Sequence, residues 1–221
     1  MSAIARGFDR LAPIYDFLAR AVYGNSLRKA QSVFLNQIKK NGRVLVVGGG
    51  SGWFLEQLIR VANPAEIFYV EISPKMIAAS KARIQSNLPD YDIQRVSFIQ
   101  GELKDLPQTA GFDSICTHCF LDLFGPEQLA HTVKQLKGHL NLGGKWYFSD
   151  FNVPERFPMR TISKLLIKVM YLFFNWTCSI DARQLPAFDK HFSENGLSAT
   201  TSASFFGGMI VAKLLVKGEA V

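Results

Sequence analysis

Residues 43–58, RVLVVGGGSGWFLEQL, constrain the fold of this chain more than any other stretch. Four apolar residues, Val44, Leu45, Val46 and Val47, run into Gly48, Gly49, Gly50, Ser51 and Gly52. An apolar segment with helical spacing follows, carrying Trp53, Phe54, Leu55 and Leu58. A short β-branched run that stops at glycines and restarts as a helix reads as a buried parallel strand, a tight turn and a helix N-terminus. Glycines suit such a turn because backbone must pass close to a ligand, some of it at positive φ. The turn offers free backbone N–H groups at the carboxyl edge of a sheet, where open α/β folds bind nucleotide-like ligands.

The rest of the chain continues the pattern. Residues 66–72 (EIFYVEI) read as a second buried strand. Ser73 is a good helix N-cap and Pro74 suits the first helical position, opening a helix to about Asn87. Strands are expected at 96–100, 112–119 and 145–151, with a helix over 126–139 and a turn at 141–144. Near the end, 197–206 and 209–217 are strand-like and joined by Gly207-Gly208, a two-residue hairpin signal. Alternating strands and helices require right-handed crossovers, hence an α/β, doubly wound, mostly parallel seven-stranded sheet with a C-terminal antiparallel hairpin. The expected division is a single domain, 1–221: an N-terminal helical cap (1–42), a ligand-binding core (43–151), a helical lid or insertion (152–183), and a C-terminal helix and hairpin (184–221).

A chain of 221 residues can bury a full core. Its three cysteines are too few for a disulfide framework, and Cys116 and Cys119 sit in an apolar run with no second CxxC, so they read as buried thiols and no metal is expected. That usage, with no apolar signal-peptide core at the N-terminus, fits a cytoplasmic protein. The formal net charge is +7, and residues 1–43 hold eight Lys/Arg against only Asp9 and Asp16. The basic excess therefore lies in the N-terminal helical region. No nucleic-acid-reading motif accompanies it, so nucleic acid is not expected as a partner.

From residue 43 to 217 the chain resembles the class I S-adenosylmethionine-dependent methyltransferases. The resemblance rests on the glycine turn, on Glu71-Ile72 ending the second strand, on Gly101-Glu102-Leu103 after the third, on the turn Leu140-Asn141-Leu142-Gly143-Gly144, and on the terminal hairpin. It implies a Rossmann-like methyltransferase fold with S-adenosyl-L-methionine as cofactor and S-adenosyl-L-homocysteine as product. By the same resemblance, Gly48, Gly49, Gly50 and Gly52 wrap the methionine part. Glu71 accepts from both ribose hydroxyls, as a carboxylate can for a vicinal diol. Ile72 packs on the adenine, Glu102 meets its amino group, and Leu103 and His118 are further cofactor-binding residues. Phe8-Asp9, Tyr15-Asp16 and Gly24 are similar to the opening of the ubiquinone/menaquinone-type enzymes, in which the tyrosine folds over the cofactor. Two positions depart from the family: Val46 stands where an acid is usual, and His118 to Asp122 replace the motif of the quinone enzymes.

Methyl transfer is an in-line displacement, so the protein mainly aligns the nucleophile and excludes water. If the acceptor needs a general base, His118, Asp122 and Asp150 are candidates, but no catalytic residue is assigned. Residues 160–180 read as an amphipathic helix with a polar stripe of Lys164, Lys168, Tyr171 and Asn175 and an opposite side of Leu165, Val169, Leu172, Phe173 and Trp176. Such a lid suggests a small, hydrophobic or aromatic acceptor, methylated on carbon or oxygen and taken from a membrane surface that the protein contacts peripherally. A core or homodimer-interface helix fits the same pattern. Two other readings compete. One is a non-catalytic module of the same fold that binds a membrane or a partner protein, which Val46 favours. The other is a nicotinamide-dependent dehydrogenase, opposed by Trp53 and Leu55 where its third glycine belongs.

Overall fold

The computed structural model describes residues 2–107, 111–180 and 182–217. Its strands are β1 (Arg43–Val47), β2 (Glu66–Glu71), β3 (Val96–Gln100), β4 (Phe112–His118), β5 (Leu140–Phe151), β6 (Leu197–Phe205) and β7 (Ile210–Lys217). The helices are α1 (Ala3–Leu11), α2 (Tyr15–Tyr23), α3 (Ser26–Ser32), α4 (Trp53–Ala62), α5 (Pro74–Asn87), α6 (Pro126–His139), α7 (Met159–Cys178) and α8 (Phe188–Glu194). The sheet order is β3-β2-β1-β4-β5-β7-β6. Strands β1 to β5 pair in parallel, and β7 runs antiparallel to both β5 and β6.

Successive side chains of a strand alternate between faces, and here both faces are covered. Val44 and Val46 join a core with residues of α3, α4 and α7, whereas Leu45 and Val47 join one with residues of α6 and α8. Burial on both sides is why the parallel strands read as unbroken apolar runs. Helix α5 begins as its sequence signals: Ser73 Oγ accepts from the Met76 N–H at 3.1 Å, and Pro74 takes the first turn.

Several boundaries differ from the sequence expectation, each for a physical reason. Strand β4 stops at His118 because Cys119 turns to a left-handed φ of 49°. The expected turn at 141–144 is a loop-out within β5, since Leu140 already pairs with Phe112 and Lys145 with Ser114. The terminal hairpin is not a two-residue turn. Phe205 pairs with Ile210, so four residues connect the strands, and Phe206, Gly207 and Gly208 all take positive φ.

The largest correction concerns α7, whose inward side is not the one its pattern suggested. Ser163, Ile167, Met170, Tyr171 and Cys178 are buried, while Leu165, Val169, Leu172 and Trp176 are exposed. Tyr171 and Asn175 belong inside because their polar groups are satisfied there. The Tyr171 hydroxyl donates to the Asp122 carbonyl at 3.0 Å. Asn175 Nδ2 donates to the carbonyls of Tyr171 and Ala182 at 2.9 and 3.1 Å. Paired polar groups are tolerated in a core, so polarity alone did not reveal the outer face.

Candidate functional site

A cavity of about 380 Å³ lies at the carboxyl ends of β1, β2 and β4, where the strand order reverses. Gly48, Gly49 and Gly50 line it after β1, Glu71 and Ile72 at the end of β2, Glu102 and Leu103 after β3, and His118 at the end of β4. Phe8, Tyr15 and Asp16 of the N-terminal helices line it from the cap side. The structure thus gathers Tyr15, Gly48, Gly49, Gly50, Glu71, Ile72, Glu102, Leu103 and His118 around one space. Gly52 is not among the lining residues. A Cβ there would lie 2.7 Å from the Ser80 Cα, so this glycine lets α4 approach α5 instead.

Gly50 is the open point of the turn. It has φ 63°, and nothing stands within 4 Å of where a Cβ would be. Behind it, its carbonyl accepts from the Tyr69 hydroxyl at 2.8 Å and from Ser80 Oγ at 2.9 Å. Its N–H donates to Glu71 Oε2 at 2.9 Å, and the Ser73 N–H donates to Oε1 at 2.9 Å. The carboxylate is therefore oriented through both oxygens. Burial pushes its pKa up, the N–H donors of Ser73, Gly50 and Ile72 pull it down, and the nearby Asp9 pushes it up.

His118 occupies the wall at the end of β4. Its Nδ1 shares a hydrogen bond of 2.7 Å with Ser149 Oγ, and its ring packs edge-on to Phe54 at 4.3 Å. Its Nε2 is buried with no partner among the described residues. Burial pushes its pKa down to about 3, so the imidazole is neutral at physiological pH. Burial and surrounding negative groups push the Tyr15 phenol well up, which leaves it a hydroxyl donor. The other two candidate bases are elsewhere. Asp122 and Asp150 are buried and absent from the cavity lining. Asp150 Oδ2 accepts from the Asp122 N–H at 3.3 Å; burial raises both carboxyl pKa values, and the charge of Asp122 raises that of Asp150 further.

The cap is fastened by two aspartates whose role the sequence reading missed. Asp9 accepts from Ser73 Oγ and from the Lys75 N–H, tying α1 to the start of α5. Asp16 accepts from Ser51 Oγ at 2.7 Å and from Arg83 Nη2 at 2.8 Å, tying α2 to the glycine turn. The signal was present: these are the sole acids in a basic segment, seven residues apart, each after an aromatic residue. Gln128, His131, Thr132 and Gln135 of α6 also reach the cavity, at helical spacing that was read only for its apolar side.

Comparison with known proteins agrees with this geometry. A family model described as a methyltransferase domain matches residues 44–144. The ubiquinone/menaquinone biosynthesis C-methyltransferase UbiE of Pseudomonas paraeruginosa is 25% identical over 159 residues, covering 69% of this chain and 59% of that protein. The malonyl-[acyl-carrier protein] O-methyltransferase of a Paenibacillus species is 28% identical over 162 residues, covering 68% of this chain and 55% of that protein. The matches thus span less than two thirds of the length of these curated relatives. The fold is shared with the Burkholderia thailandensis 1,6-didemethyltoxoflavin-N1-methyltransferase, solved with 1,6-didemethyltoxoflavin and S-adenosylhomocysteine. That structure has a TM-score of 0.68 at 13% identity, covering 98% of this chain and 88% of that one.

Proposed function

We propose that this chain, which a methyltransferase-domain family model matches over residues 44–144, is a class I S-adenosylmethionine-dependent methyltransferase that transfers a methyl group to a small, apolar or aromatic acceptor, as C- or O-methylation. The observation that carries this reading is Glu71, a buried carboxylate held at the end of β2 by backbone N–H groups beside an open glycine turn. The residues fit the cofactor: Glu71 presents a carboxylate to the cavity as an acceptor for the ribose, and Gly50 leaves space where any side chain would intrude.

Gly48, Gly49 and Gly50 would hold the methionine part, Ile72 and Leu103 the adenine faces, and Glu102 the adenine amino group. Gly52 would support the turn from behind. Bound S-adenosylmethionine supplies a sulfonium whose leaving group is already activated. The protein's share is then alignment and exclusion of water, to which Phe8 and Tyr15 contribute by covering the cavity. His118, neutral and with Nε2 unpartnered, would orient an acceptor by a hydrogen bond rather than serve as a strong base.

Val46 favours a second reading, a non-catalytic module of the same fold. It lines the cavity as an apolar side chain where the family usually carries an acid. Isothermal titration with S-adenosylmethionine separates the two. Binding by the wild type, weakened by about 1–3 kcal/mol in Glu71→Ala, is expected of the enzyme. No heat at millimolar cofactor would favour the module, and an unchanged Glu71→Ala would remove Glu71 from the site.

A further inference from the structure

The outward face of α7 is apolar along its length. Ile162, Leu165, Val169, Leu172 and Trp176 are 43, 63, 55, 63 and 85% exposed. Their spacing of three or four residues makes one stripe, opposite the buried Ser163, Ile167 and Met170. A helix that already packs an apolar face inward gains nothing in water from a second one outward.

We propose that this face is a docking surface for an anionic lipid bilayer. Beside the stripe stand the exposed Arg160, Lys164 and Lys168, and no Asp or Glu occurs in Met159–Cys178. Apolar side chains flanked by cations only are the pattern of a helix lying in the headgroup region. The cap packs on the same side of the sheet as α7, its two acids are turned to Ser73 and Ser51, and Arg10, Arg20 and Lys29 are exposed. Charge complementarity thus points to an anionic surface. The alternatives fit less well. Pairing this face with its own copy brings lysines near lysines, and five side chains of one helix fall short of the roughly 20–30 residues a side of a stable interface. Among the described residues no helix is long and apolar enough to cross a membrane, so the contact lies at the surface. The docking does not depend on methyl transfer.

The test uses the full chain without cofactor and vesicles of phosphatidylglycerol with phosphatidylcholine, or of phosphatidylcholine alone. The wild type is expected to sediment with the anionic vesicles, with tryptophan emission moving to shorter wavelength. Of the other two tryptophans, Trp146 is buried and Trp53 is half-buried beneath Arg28, so Trp176→Phe should abolish most of that shift while keeping binding. Leu165→Ser with Leu172→Ser, and separately Lys164→Glu with Lys168→Glu, should each cut vesicle partitioning by about tenfold or more. These positions are exposed, and circular dichroism and cofactor titration check that the variants fold. Absent vesicle binding, equal binding by all variants, or a wild-type dimer that the leucine variant dissociates would overturn the proposal.

Discussion

At Glu71 one carboxylate orients the glycine turn and also faces the cavity, so its neighbours are as tightly specified as it is. Gly49→Ala would place a Cβ 2.1 Å from the Tyr69 ring, and a loss of about 1–3 kcal/mol in denaturant unfolding is expected. Gly50→Ala meets no atom, so its folding cost should be only the ~1–2 kcal/mol of a left-handed residue. Its larger effect should be weaker cofactor binding in titration calorimetry. His118 predicts a pH dependence. The unfolded histidine takes a proton near pH ~6.5, whereas burial holds the folded one to about 3. Its stability contribution is therefore full above the unfolded value and lost as pH falls below it. Thermal melts should show that acid-side loss reduced in His118→Gln. A histidine at the end of a fourth strand was visible in the chain; its neutrality was not, because that comes from Phe54 and the surrounding walls.

Two elements, the cap and α7, depend on polar contacts between distant segments. Asp9→Ala would leave Ser73 Oγ and the Lys75 N–H without their acceptor in a buried place, a loss of about 1–3 kcal/mol. The Asp16–Arg83 pair is partly exposed and should contribute about 1 kcal/mol or less. In Asp9→Ala and in Asp16→Ala hydrogen exchange should speed up over residues 3–32 while the strands stay protected. Beneath α7, the raised carboxyl pKa values of Asp122 and Asp150 have the opposite sign to His118. Their contribution is full below the ordinary carboxylate range and lost as pH rises through the folded values, so Asp122→Asn should be more stable relative to wild type at high pH than at low. Denaturant midpoints across pH measure that difference. The apolar stripe of Leu165, Val169, Leu172 and Trp176 was legible from the 3.6-residue period, whereas the expected polar stripe divides, with Lys164 and Lys168 exposed and Tyr171 buried. Which face meets the core was not legible, since both were apolar enough and Tyr171 finds its acceptor 49 residues away.

Across the whole molecule, the cavity sits where the sheet reverses its order, with the cap closing it from the side of α1 and α2. A ligand held there touches β1, β2, β3 and β4 ends at once, so binding should stabilise the sheet as a unit. Cofactor at about 100 times Kd should add ~2.7 kcal/mol and raise Tm by about 5–10 °C, read by scanning calorimetry. The sequence by itself determined the strand–helix order, the glycine turn, the acid at the end of β2, the Ser73-Pro74 helix start and the closing antiparallel strands. Each of these is written in neighbouring residues, through period, capping and backbone freedom. Only the tertiary structure decided that Gly52 serves α5, that Asp122 and Asp150 lie away from the cavity, that Asp9 and Asp16 fasten the cap, and that α7 turns an apolar stripe outward. Those outcomes depend on which distant groups come within contact, and local pattern carries no record of that.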